Sequence, residues 1–181
     1  MAKKRVEKQE TKNETKRKRE KKEDTRTKSD YERKLQKEIN TIVRHIDRGH
    51  KCISSNRNLN RKYDAGHYYS VGSNATLRFN LHNIFAQSVT DNQYKGGNPL
   101  EYIENVKNIF GQQYAAEVIN LRKTYKTIHL SKEELKLCIG RARKFIKFIE
   151  EYRKKNNYYK FTLEERIELR REGNIFIGIY N

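Results

Sequence analysis

The sequence predicts an α+β chain with one short, glycine-rich, β-prone stretch set between helical segments. Residues 50–98 are rich in Gly, Asn, Ser and Tyr, and their β-prone runs, HYYSV and TLRFN, are brief. Gly66, Gly72, Gly96 and Gly97 punctuate the stretch, which suits a small hairpin and a short helix. On both sides of it apolar residues recur at helical spacing. The first 30 residues, by contrast, hold almost nothing to bury.

The elements follow in chain order. Residues 1–28 are predicted to be a basic, disordered tail, with runs such as KRKREKK able to lie along phosphates. Ser29 or Asp30 can cap the first helix. Leu35, Ile39, Ile42, Val43 and Ile46 give it one apolar stripe, Lys34, Lys37, Arg44 and Arg48 stay outside, and Gly49 is a plausible stop. Pro99 is the only proline; with Asn98 as N-cap it opens a helix burying Leu100, Ile103, Val106 and Ile109 and ending near Gly111. Another helix runs from Gln112 to about Tyr125. Ser131–Glu134 reads as a capping box and opens a long helix to about Lys154. Thr162–Glu165 opens a shorter one ending near Gly173. The closing NIFIGIYN segment is either a terminal strand or packs on the core. The organisation expected is thus a tail (1–28), a core with flanking helices (29–128) and a basic helical C-terminal region (129–181).

Composition narrows the function. Of 181 residues, 35% are charged and 34% hydrophobic, with a formal net charge of +18. A charge so far from zero calls for a polyanionic partner, most often nucleic acid. No window approaches the ~18 apolar residues of a membrane span, and the basic start MAKKRVEKQETK has no apolar stretch after it, so neither membrane nor secretory signal is expected. Cys52 and Cys138 are the only cysteines, read as free, reduced thiols of a cytoplasmic protein. Two cysteines exclude a cysteine-rich zinc site.

The chemistry concentrates between Cys52 and Asn98. His67 closes an Asp-Ala-Gly-His turn, Asn83 follows in a strand-to-helix setting, and Asn92 stands where a short helix begins. That order is the skeleton of a ββα-metal, or HNH-like, nuclease core. In such a site a histidine deprotonates the attacking water, an amide or carbonyl orients its ring, and one divalent cation stabilises the leaving oxygen. His67 is the candidate base and Asn83 the candidate ring partner. Asp64 and Asn92 offer oxygens to Mg²⁺ or Mn²⁺.

The segments KSDYERKLQKEINTIVRHIDRG, KCIS, DAGHYYSVGSNATLRFNLHNI, QSVTDN and GGNPLEYIENVKNIFG together resemble the lambda-phage NinG family, also called Rap, of recombination endonucleases. The resemblance implies a structure-specific nuclease of a phage or prophage, at work in the bacterial host on D-loops and Holliday-type junctions. It implies His67 as base, Asn83 as its partner and Asn92 on the metal side.

The chain departs from that pattern at several positions. Family members commonly carry two Cys-x-x-Cys pairs that hold a structural zinc; here the positions read Cys52, Ser55, Ser88 and Asp91. Serine is a poor zinc ligand, so no structural zinc is expected. Phe79, Ile84, Phe85, Val89 and Tyr94 are expected to fill the gap, with Ser55, Ser88 and Asp91 hydrogen-bonded to one another or to backbone. Phe85 stands where many relatives carry histidine, and Gly66 where many HNH proteins place an acid.

For DNA contacts the sequence offers Arg61, Lys62, Arg78 and Lys95 near the site, interleaved with Tyr63, Tyr68, Tyr69 and Tyr94. The long C-terminal helix offers Arg141, Arg143, Lys144 and Lys147, continued by Arg153, Lys154 and Lys155. No sequence-reading helix is apparent, which fits recognition of DNA shape. Recombination proteins of phage or host are further expected partners, and a homodimer would supply the two sites that a symmetric junction needs. The alternative readings are a non-catalytic accessory protein that binds branched DNA, favoured by the lost cysteines, and a basic RNA-associated protein.

Overall fold

The computed structural model describes residues 25–157 and 159–180. Five helices surround one two-stranded antiparallel hairpin: α1 (Lys28–Ile46), β1 (Asp64–His67), β2 (Ile84–Gln87), α2 (Pro99–Phe110), α3 (Gln112–Thr124), α4 (Lys132–Lys155) and α5 (Leu163–Ile177). Most of the expected basic tail lies outside the described residues.

The cap of helix α1 comes earlier than expected. Thr27, not Ser29 or Asp30, is the N-cap: its hydroxyl accepts from Asp30 N, and the Asp30 carboxylate accepts from Thr27 N at 2.9 Å, closing a capping box. The apolar stripe is as read, with Tyr31 added, and all six residues from Tyr31 to Ile46 on that stripe are fully buried. This stripe packs on α4 and on both strands of the hairpin. The capping boxes at Ser131 and Thr162 both form.

The strands are not where the β-prone runs lie. The hairpin pairs Asp64 with Gln87 and His67 with Ile84, whereas HYYSV turns away after Tyr68 and TLRFN forms tight helical turns. β2 is buried at every position, so it carries no polar–apolar alternation to read. In α2, Leu100 is 80% exposed and Tyr102 is buried in its stead. Asn98 takes the N-cap place in a left-handed conformation and makes no side-chain cap bond. Leu137 and Phe148 of α4 are also exposed.

Helix α5 passes through Gly173 and ends at Ile177, with Gly178 in the left-handed conformation after it. Residues 174–180 are therefore the end of this helix and its cap, not a strand. Gly173 is required by packing: a Cβ there would stand 2.8 Å from Phe145 Cε1 and closer still to Leu81. The residues after 129 share one continuous apolar core with the hairpin and α1, through Leu135, Ile139, Phe145, Ile149 and Leu169.

A buried ionic knot ties the parts together. Asp47, just after α1, accepts from Ala86 N of β2 at 2.8 Å and from Arg166 and Arg170 of α5. Burial would raise its pKa, but the charges of Arg170 and Arg166 prevail and bring it to about 2. Arg170 also stacks 4.2 Å from the Phe85 ring centre.

Candidate functional site

His67 ends β1 half-buried, and its Nε2 lies 2.9 Å from the Arg78 carbonyl oxygen. A carbonyl only accepts, so Nε2 carries the proton and Nδ1 keeps the lone pair. Burial lowers the pKa of His67, and the nearby Arg78 charge adds to that while the carbonyl bond opposes it. The imidazole is therefore neutral near pH 7, with its basic nitrogen fixed by geometry.

Asn83 does not hold the ring, contrary to the sequence expectation. Its Oδ1 accepts from Tyr69 N at 2.8 Å, and its Nδ2 donates to Tyr69 O and Leu77 O at 3.0 and 3.2 Å. The amide is a clamp across the loop from Tyr69 to Leu77. It shapes the loop that delivers the Arg78 carbonyl, and so acts on His67 at one remove.

That loop is braced from the C-terminal end. The Tyr180 hydroxyl accepts from Phe79 N at 3.1 Å and donates to Thr76 O at 2.7 Å, on either side of Arg78. Asn174 Oδ1 accepts from Leu81 N at 2.9 Å. Sequence reasoning missed both residues, because the contacts span more than 90 positions and neither side chain carries a local signal.

Asp64 and Asn92 do come together. Asn92 Nδ2 and Gln93 Nε2 donate to Asp64 Oδ2 at 2.9 and 2.8 Å. A carboxylate beside amide groups has the oxygen chemistry that Mg²⁺ or Mn²⁺ accepts, so Asp64 and Asn92 are the residues that would hold such an ion. Alternation along β1 sends Asp64 and His67 to opposite faces of the hairpin, however. No hydrogen bond among the described residues joins the two pairs.

Between them Gly66 has no room for a side chain. A Cβ there would overlap the Gln87 amide oxygen and stand 2.9 Å from Gln87 Cβ. Gln87 is anchored by Nε2 to Ser54 Oγ and Gly97 O, both at 2.6 Å, and its buried Oε1 has no hydrogen-bond partner among the described residues. Gln87 thus occupies the space where an acid at position 66 would reach.

The four positions implied as former zinc ligands converge on Asp91. Its Oδ2 accepts from Ser88 Oγ at 2.7 Å and from Cys52 Sγ at 3.4 Å; Ser55 also bonds the carboxylate. Cys52 Sγ in turn accepts from Ser88 N at 3.2 Å. Burial opposes the charge on Asp91, but these donors and Lys95 hold its pKa near 2. Local hydrogen bonding does knit the loop, as expected from the sequence. Tyr94 does not help, being 80% exposed, and Phe85 is occupied elsewhere, against Phe110, Tyr102 and Arg170.

The basic candidates divide. Arg61, Lys62, Lys144 and Lys147 are exposed. Arg78 is engaged by Glu32 at 3.4 Å and Gln36 at 3.2 Å, Lys95 by Asp91 at 3.3 Å, and Arg143 by Glu38 at 2.8 Å. Arg141 donates to the Ile177 carbonyl. Arg153 is no surface residue: it is buried and donates to His45 O at 2.6 Å. Tyr63 and Tyr69 bond the Arg44 and Ile119 carbonyls through their hydroxyls, as half-buried spacers do.

The fold and site are those of a basic α+β protein built on one hairpin, and comparison with known proteins gives its lineage. The family model described as bacteriophage lambda NinG protein matches residues 1–172, and the chain belongs to the NinG family. Protein ninG of Enterobacteria phage H19B is 36% identical over 86 residues, covering 48% of this chain and 43% of that protein. Protein ninG of Escherichia phage lambda is 35% identical over 86 residues, covering 48% and 42%. That of Salmonella phage P22 is 37% identical over 70 residues, covering 39% and 34%. The matched stretch thus spans less than half the length of these relatives. No solved structure matches the chain. Among the described residues no helix is long and apolar enough to cross a membrane.

Proposed function

We propose that this NinG-family protein is a metal-dependent endonuclease of the HNH-like, ββα-metal kind, acting on branched DNA such as D-loops and Holliday-type junctions. The observation that carries the reading is the bond between His67 Nε2 and the Arg78 carbonyl. It leaves Nδ1 as the base for a water directed at phosphorus. Burial favours the neutral form of that imidazole. Asn83 holds the loop so that the Arg78 carbonyl stays in place. Asp64 and Asn92 are the residues that would hold Mg²⁺ or Mn²⁺, and a bound ion would neutralise charge developing on phosphate oxygens. Exposed Arg61, Lys62, Lys144 and Lys147 supply phosphate contacts.

The alternation that separates Asp64 from His67 supports a second reading: a non-catalytic protein that binds branched DNA for a recombination partner. Cleavage of labelled four-way, flap and linear DNA in EDTA, Mg²⁺ or Mn²⁺ decides between the two. The nuclease reading expects metal-dependent cutting of branched substrates that His67→Ala abolishes while binding persists. Salt-sensitive binding without cutting in either metal overturns it in favour of the second reading.

A further inference from the structure

A polar cleft of about 590 Å³ is lined by Arg48, His50, Asn60, Arg61, Tyr63 and Tyr159. The proposed catalytic site uses none of it except Arg61. Its most unusual wall is Tyr159, which is 74% exposed while its backbone carbonyl is bonded to a buried side chain. The Tyr159 carbonyl accepts from Arg153, a buried side chain that also donates to His45 O and stacks 4.3 Å from the Phe161 ring centre. One edge of the Tyr159 ring rests on Gly49, where a Cβ would stand 3.0 Å from Cε1 and where φ is +83°. The backbone of Tyr159 is thus held, one edge of its ring lies against Gly49, and the rest of the ring is open.

The charge of the cleft comes from two arginines. Arg48 and Arg61 are exposed and form no ion pair among the described residues. His50 adds none near neutrality: its Nε2 is bonded to Phe161 O at 2.9 Å, and burial together with Arg166 lowers its pKa to about 4. Tyr63 is pinned by its hydroxyl to Arg44 O and offers only its ring. An anchored aromatic face beside two uncompensated guanidinium groups and an Asn amide matches one repeat of a nucleic-acid strand, base on the ring and phosphate on the arginines. A paired base hides its face in the stack, so the strand must be unpaired. Tyr63 leads directly into β1, which places the cleft wall about 13 Å along the chain from His67, at ~3.3 Å per residue.

We propose that this cleft binds an unpaired stretch of a DNA strand, stacking one base on Tyr159 and holding flanking phosphates on Arg48 and Arg61. The proposal deepens the reading that the partner is branched DNA, and rests on it. It concerns binding alone, so it is tested without metal.

The chain has no tryptophan, so Tyr159→Trp installs a single indole in the cleft. Oligothymidylate titrated in EDTA at low salt is expected to quench that emission saturably, and a blunt duplex of equal length to leave it unchanged. Arg48→Ala with Arg61→Ala is expected to weaken the quenching at least tenfold. In the tryptophan-free background, Tyr159→Phe should keep the affinity measured by anisotropy of labelled oligothymidylate, and Tyr159→Ala should lose about tenfold. Unchanged emission while anisotropy reports binding overturns the cleft and leaves DNA binding standing. Loss of affinity in Tyr159→Phe equal to that in Tyr159→Ala also overturns it. Absence of binding in every format overturns the DNA reading itself. Tighter quenching by oligouridylate than by oligothymidylate overturns the assignment to DNA.

Discussion

Arg170 donates to both carboxylate oxygens of Asp47, at 2.8 and 2.7 Å, with both side chains out of contact with solvent. This pair joins the end of α1 to α5 and, through Ala86 N, to the second strand of the hairpin. Asp47 therefore sets where β2 lies, and β2 sets the register of His67. Arg170→Met removes the charge that compensates Asp47 and is expected to cost about 3–5 kcal/mol. Asp47→Ala leaves two buried guanidinium groups unpaired and should cost at least as much. Urea unfolding measures both; a loss under about 1 kcal/mol from Arg170→Met would show that Arg166 alone satisfies Asp47, and one under about 1 kcal/mol from Asp47→Ala would show that the knot adds nothing net.

Acid should loosen the fold from about pH 6.5 downward through its partly buried histidines. Burial with nearby arginines lowers His50 to about 4 and His82 to about 3, against an ordinary value of 6.5. Between about pH 6.5 and 4 the unfolded chain takes up protons that the folded chain refuses, so stability is complete above 6.5 and falls as pH falls. Below about 4, Asp47 adds to the loss as its protonation approaches a pKa of about 2. Thermal midpoints from about pH 8 to 4 are expected to be flat and then to fall by several degrees. His82→Asn should flatten the drop; an identical profile would assign it elsewhere.

Asn83→Ala frees both strands of the loop that the amide clamps. A drop of about 1–3 kcal/mol is expected for the buried groups left unpaired. In the nuclease reading it also lowers the cleavage rate more than it weakens DNA binding, since the Arg78 carbonyl is no longer fixed against His67. Nitrogen-15 shifts of the His67 ring are the direct check: loss of the single tautomer is expected in the variant, and retention would detach Asn83 from the base.

Gly66→Asp places an acid directly before His67 but collides with Gln87. Alone it is expected to destabilise by about 1–3 kcal/mol. Paired with Gln87→Ala it should recover most of that loss. Equal stability of the single and double variants would show that the Gln87 side chain moves aside freely.

The convergence on Asp91 gives a metal test. Replacing Ser55, Ser88 and Asp91 with Cys places three thiols beside Cys52, and the protein is expected to take up one equivalent of Zn²⁺ and to melt at higher temperature. Metal analysis showing none would mean that the four positions point past one another.

The helices were largely legible in the sequence because their signals are local. Ser131 and Thr162 find their partners three residues on, and Leu35 to Ile46 repeats within one helix. The hairpin was placed but its strands were not. Four-residue strands hold too few turns of any period, and Ile84–Gln87 is buried on both faces. Gly173 reads as a stop and is instead a contact with Phe145 and Leu81. The residue order His67, Asn83, Asn92 located the candidate site, yet the partner of the imidazole is a backbone carbonyl, and no side-chain pattern can announce a carbonyl. Arg153 reads as surface charge, and Arg170 as one basic residue among many. Their burial depends on His45, Tyr159 and Asp47, up to 123 positions away.

Tyr180 braces Thr76 and Phe79 across 104 and 101 positions, which gives the site a history as well as a shape. A ribosome working at ~5–20 residues per second releases the loop about 5–20 s before the tyrosine that steadies it. For that interval the loop around Arg78 has the Asn83 clamp at Leu77 but lacks the hydroxyl that bonds Thr76 and Phe79. The basic residues before the loop are thus made well ahead of this brace, which closes only when Tyr180 has been made.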